Sequence, residues 1–166
     1  MAESSLPIGS DESRRGDKAM KTTMGALAAL ALVATTDVRA DQSVGNSVEL
    51  PGSKDAKVTL VYQHALPGLP GKSVKGVLVE YGPGGYSPSH RHAKSALIYA
   101  TVIEGEVRSK INGGPEKTYR ADENRTESPG DHHTVSANAS ETNSARILAV
   151  FIVDDRDTEL TIPDQN

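Results

Sequence analysis

The chain has no cysteine and no tryptophan, and only one phenylalanine and five tyrosines in 166 residues. Without cysteine there is no disulfide, no thiolate zinc site and no cysteine nucleophile. Any metal must therefore be held by nitrogen and oxygen ligands. Scarce aromatics leave Val, Leu, Ile and Ala to build the core, and the β-branched share leans toward strands. Charge of one sign is also lacking: the formal net charge is −4, and no basic stripe interleaved with aromatics appears, which argues against a nucleic-acid groove. The N-terminal apolar run, ten residues from Gly25 to Ala34, is about half the ~20 residues a membrane-spanning helix needs.

That run has another reading. Met20 to Ala40 carries a lysine, the apolar stretch, and then Val38-Arg39-Ala40 before Asp41, the layout of a secretory signal peptide with small residues at the cleavage positions. Residues 1–19 read as a leader if the start is Met20. Ser13-Arg14-Arg15 resembles part of a twin-arginine export signal, although Gly16 and Asp17 do not suit it. Cleavage after Ala40 would give a chain from Asp41 to Asn166 with 13 Lys+Arg against 17 Asp+Glu. The expected location is periplasmic or secreted, with no membrane contact once the signal is removed.

After Ala40 the chain reads as short strands separated by turns. Residues 41–56 form a linker or first edge strand, 57–154 the main β domain and 155–166 a polar tail with a possible edge strand at "ELTI". Lys57–Leu66 and Ser73–Tyr81 have strand character. Three Gly and two Pro between Gly82 and Ser89 read as a loop that cannot pair as a central strand. Ala96–Ile103 and Glu106–Ile111 follow, and Asn112-Gly113-Gly114 signals a hairpin because Asn and Gly accept positive φ. "DEN" turns again, "SPGDHHTVSANAS" leads into a strand, and Ala145–Asp154 is the most apolar strand of all. Seven or eight strands at this spacing, with no helical period after the signal segment, predict an all-β antiparallel sandwich or small barrel.

All five histidines, His64, His90, His92, His132 and His133, lie in this β region. His90 and His92 share one face of a strand, about 6.6–7 Å apart at Cα, from which two imidazoles can converge on one metal. A third nitrogen must come from another strand, and His132 and His133 are placed to supply it. Adjacent strand residues face opposite ways, so only one of them points inward. A lone strand histidine such as His64 reads as a surface group.

"GYSPSHRH", "VIEGEV" and "SPGDHHTVSANAS" together resemble the two conserved motifs of the cupin superfamily, in its small single-domain form with the cupin-2 conserved barrel. Gly85, His90, His92 and Gly105 match the first motif; Asp122, Pro129, Gly130, His133 and Asn138 match the second, with Asp122 in the place of a glycine and Asn138 one position late. The resemblance covers roughly Val58 to Val153. It implies an antiparallel β-barrel of the jelly-roll type, a divalent transition metal (Fe, Mn, Zn, Ni or Cu) held by His90, His92 and His133, and a homodimer.

One departure stands out. Where the family places a glutamate after the His-x-His pair, this chain has Ala96, or Ile98 when counted back from Gly105. Three explanations compete: a three-histidine site with open positions, a substitute oxygen ligand from Tyr99, Ser95 or Glu80, or a pocket that has lost its metal. Glu104 and Glu106 read as solvated hairpin charges; Glu127, two residues before Pro129, reads as a solvated loop carboxylate, with the pocket mouth as the alternative. His132 is the one candidate general base with an ordinary pKa near neutrality, although it is expected on the outer face.

The functional expectation is an exported cupin whose metal acts on a small anionic molecule in oxygenase- or isomerase-like chemistry. The alternative is a non-catalytic periplasmic barrel that binds a small molecule or a metal. A third reading uses the 145–153 strand as a dimer edge.

Overall fold

The computed structural model describes Gly45 and residues 47–165, so the expected leader and signal segment lie outside the described residues. Among the described residues there are eleven strands and no helix. In chain order they are β1 (Ser47–Val48), β2 (Lys54–Ala65), β3 (Lys72–Ser87), β4 (His90–His92), β5 (Leu97–Glu104), β6 (Glu106–Ile111), β7 (Lys117–Arg120), β8 (Asn124–Glu127), β9 (His132–Asn138), β10 (Ala145–Asp154) and β11 (Thr161–Pro163). All their pairings are antiparallel, so no crossover helix is required to connect them.

The strands make two layers. β1, β2, β3, β10, β5 and β8 pair in that order, and β11, β4, β9, β6 and β7 form the second series. β3 joins them. Its first part pairs with β10 from Lys72 to Tyr81, and its last residues, Tyr86 and Ser87, pair with Ala137 and Ser136 of β9. The expected loop between Gly82 and Ser89 is thus corrected: the segment is the bent end of a strand. Glycine makes the corner possible. Gly84 has φ +65°, and a Cβ on Gly85 would lie 2.5 Å from the Asp55 carbonyl, too close for any side chain. The composition that forbids a straight central strand suits one that changes partners at a corner.

Alternation along β5 and β10 builds the core. Ile98, Ala100 and Val102 on β5 and Ala145, Ile147, Phe151 and Val153 on β10 are buried, together with Val77 and Tyr81 of β3 and Val107 of β6. Each large aliphatic or aromatic side chain so buried contributes about 1.5–3 kcal/mol. β10 is paired on both sides, by β3 and by β5. It is therefore not an edge, which corrects its reading as a dimerisation edge. Turn chemistry falls where the residue types place it: Asn112, Gly113 and Asp122 all have positive φ.

The C-terminal segment is more than a polar tail. Beyond β10 the side chains of Asp155 and Asp157 accept hydrogen bonds from Ser73 and Ser95, and the Asp157 carbonyl accepts one from the buried Lys75 ammonium at 3.1 Å. β11 then pairs with β4, Thr161 opposite His92 and Pro163 opposite His90. This lays the end of the chain along the strand that carries the histidine pair.

Candidate metal centre

β4 projects His90 and His92 to the inside and leaves Arg91 exposed. On the neighbouring β9, His133 stands directly opposite His90 and is buried, whereas His132 points to the other face. One ligand atom from each of His90, His92 and His133 falls in a group whose members are all within 4.8 Å of one another. The structure thus brings His90, His92 and His133 together.

Each ring is oriented by a second contact. His90 Nδ1 donates to the Pro88 carbonyl at 2.6 Å and His92 Nδ1 to the Leu160 carbonyl at 3.0 Å. A carbonyl only accepts, so Nδ1 of each ring carries a proton and Nε2 is the nitrogen turned inward. His133 Nε2 shares a hydrogen bond with the Ser109 hydroxyl at 2.8 Å, leaving Nδ1 toward the cluster.

The acidic partner comes from an unexpected strand. Glu127, at the end of β8, is only 2 % exposed, with Oε2 3.1 Å from His92 Nε2 and 3.4 Å from His133 Nδ1. Its cross-strand neighbour is Ile98, the position reached by counting back from Gly105. The carboxylate has moved one strand sideways and still enters the same cavity. The reading of Glu127 as a solvated loop group is corrected: β8 alternates, with Asn124 and Thr126 outward and Arg125 and Glu127 inward.

The substitutes considered from sequence lie elsewhere. Tyr99 is 49 % exposed on the outer face of β5. Glu80 faces out from β3 between Lys57 and Arg146, 3.6 Å from each. Ser95 is spent on Asp157 and on the Asp154 amide. His132 contacts Ser89 and Asp164 at 3.0 and 2.7 Å on the outside, and His64 is exposed.

Burial dominates the electrostatics. It pushes His90 down to about 4, with His92 adding to the effect, and His133 down to about 3 despite the attraction of Glu127. Burial alone would raise Glu127, but the close approach of His92 and the charges of His133, His92 and Arg125 hold it at about 2. Near neutral pH the cluster therefore contains two uncharged imidazoles and an ionised carboxylate. Glu127 Oε2 has no hydrogen-bond partner among the described residues, and His92 Nε2 lies 3.1 Å from it. A carboxylate oxygen and an imidazole nitrogen this close need a cation between them, a proton or a metal ion.

The donor set fits a metal ion. Atoms bound about 2.1 Å from one ion at a right angle lie about 3.0 Å apart, close to the 3.1 and 3.4 Å spacings of Glu127. Imidazole nitrogen with one carboxylate oxygen suits first-row divalent metals. The cluster borders a small cavity of about 50 Å³, open in part to solvent and walled by Ile98, Phe151, Tyr81 and Arg125. The single phenylalanine sits edge-on to His92, ring centres 5.4 Å apart. Asn138, the late member of the second motif, donates to the Gly82 and Asn143 carbonyls and so ties the β9 end to the β3 corner.

Residues 77–151 match the cupin domain family. No curated protein matches the chain by sequence search. Among solved structures, an oxalate oxidase superposes with TM-score 0.56 at 20 % identity, over 79 % of this chain and 66 % of that one. The chain thus spans just under two thirds of that enzyme's length. A predicted oxalate decarboxylase from Thermotoga maritima gives 0.52 at 15 % identity, covering 69 % of this chain and 98 % of that one. A cupin-2 conserved barrel domain protein from Rhodopseudomonas palustris gives 0.52 at 18 %, covering 72 % and 75 %. At these identities the likeness concerns the fold.

Proposed function

The chain belongs to the cupin superfamily, and from that premise we propose that it is a metal-dependent cupin whose divalent transition metal is held by His90, His92, His133 and Glu127. The observation that carries this reading is the buried, unpartnered Glu127 oxygen facing two imidazole nitrogens at 3.1 and 3.4 Å. A bound ion would supply Lewis acidity and a template for a substrate oxygen. The protein's part is to orient: Pro88 and Leu160 set the tautomers of His90 and His92, and the apolar wall of Ile98 and Phe151 limits water. The activity we assign is oxygenase- or isomerase-like, on a small anionic molecule.

Export belongs to the same proposal, on the signal-like segment Met20–Ala40, with a mature protein in the periplasm or outside the cell and working as a homodimer. The second reading is a non-catalytic barrel that binds a small molecule or metal, and a four-ligand set favours it by leaving the ion fewer open positions. Elemental analysis of purified protein, with and without His90→Ala plus His133→Ala, tests the core assignment. About one metal per chain in the parent and none in the variant is expected; equal content sinks it. Turnover in a panel of small acids, or none with metal bound, separates enzyme from binder.

A further inference from the structure

Arg125 stands one strand position pair away from Glu127 on the inner face of β8, with its side chain 7 % exposed. Its Nε lies 3.3 Å from Glu127 Oε1, its guanidinium carbon is 5.7 Å from the centre of the Tyr119 ring, and it lines the cavity that the histidines border. Among the described residues neither Nε nor the first terminal nitrogen makes a hydrogen bond. The ion pair with Glu127 offsets the charge but leaves these donors without a hydrogen bond, which costs free energy in a buried guanidinium, so the arrangement calls for an acceptor from outside the chain. We propose that Arg125 is the recognition residue for a carboxylate group of the substrate, a small organic acid that reaches the metal side of the cavity with one end and Arg125 with the other.

The charge and the donor supply both point this way. Arg125 and Glu127 offset one another, so a divalent ion leaves the cavity with two positive charges, enough for a mono- or dianion. The guanidinium fork matches a planar carboxylate. Three of the hydroxyls lining the cavity are engaged with one another: Tyr81 bonds Ser87 at 2.8 Å and Ser136 at 2.9 Å. A phosphate has more oxygens to satisfy than one guanidinium fork serves, while Ile98, Ala149 and Phe151 suit a short carbon stem. The inference deepens the metal-dependent reading and rests on it.

The test is calorimetric titration of the full-length protein with malonate, its neutral analogue malonamide and inorganic phosphate, with metal content measured on the same samples. The parent is expected to bind malonate at least about tenfold more tightly than malonamide or phosphate, the scale of one charge-assisted hydrogen bond. Arg125→Gln should keep its metal and lose that preference; Arg125→Lys should keep part of it. Malonate and malonamide binding alike to the parent, or Arg125→Gln binding malonate as the parent does, would overturn the assignment, as would a preference for phosphate. Should Arg125→Gln not fold, the parent and Arg125→Lys still decide. Repeating the titration after chelation separates the two readings: a metal-free parent that retains an Arg125-dependent preference contradicts the metal site alone.

Discussion

Glu127 faces two imidazoles and a guanidinium from a position 2 % exposed. Glu127→Gln keeps the shape and removes the charge. Loss of an outer hydrogen-bond partner costs metal sites about 10–100-fold in affinity, so loss of this charged ligand should cost about a hundredfold or more in a competitive chelator titration. An unchanged affinity would return the site to three histidines. The imidazoles predict a pH dependence. In the folded protein His90 titrates near 4 and His133 near 3, below the ordinary 6.5, so the unfolded chain takes up protons first. The stability they contribute is complete above about pH 6.5 and is lost as pH falls toward 4 and then 3. Glu127, depressed from 4.5 to about 2, acts with the same sign at lower pH. Thermal melts of metal-free protein should fall by about 5 °C or more between pH 7 and 4.5, and His133→Gln should flatten that slope. A Tm independent of pH over this range would contradict the burial of neutral imidazoles.

At the scale of elements, β8 explains why the histidines were legible in the sequence and their acidic partner was not. His-x-His shows its face by spacing alone, and Asn112 and Asp122 mark turns because few residues tolerate positive φ there. β8 reverses the usual pattern: its inward residues are Arg125 and Glu127 and its outward ones Asn124 and Thr126, so hydrophobic alternation, the signal by which strands are read, is absent. The available clue was the i, i+2 pairing of opposite charges just before Pro129. β3 misleads for a related reason, since its Gly/Pro content reports a corner and not an end. Two element-level outcomes follow. Gly105, at the turn from β5 to β6, has φ +73°, and a Cβ there would lie 2.5 Å from the Ser144 carbonyl. Gly105→Ala should cost about 2 kcal/mol, read in a urea melt; a cost below about 0.5 kcal/mol would mean that the turn adapts. Truncation after Asp157 removes Leu160 and β11, and with them the carbonyl that orients His92. Metal affinity should drop about 10–100-fold in the truncated protein, and equal affinity would show that His92 is oriented without the C-terminal segment.

On the scale of the whole molecule, the site exists only when both layers are assembled. His90, His92 and His133 come from β4 and β9 in one layer and Glu127 from β8 in the other. Folding and metal binding are therefore coupled: an ion bound only by the native state stabilises it by about 2.7 kcal/mol at a hundred times its Kd. The all-β class and the barrel were readable from strand spacing, because turn residues recur at short intervals. The closing role of the last residues was less so, because the contacts of Asp155, Asp157 and Asp164 are polar and long-range in sequence. The central claim is that four side chains from two layers hold one ion. Its most direct test is metal stoichiometry by elemental analysis on the parent, on Glu127→Gln, and on His90→Ala plus His133→Ala, each purified alike and dialysed against a weak chelator. The account predicts about one ion per chain in the parent, a marked loss in Glu127→Gln and none in the double variant. Equal metal in all three, or none in the parent, would contradict it.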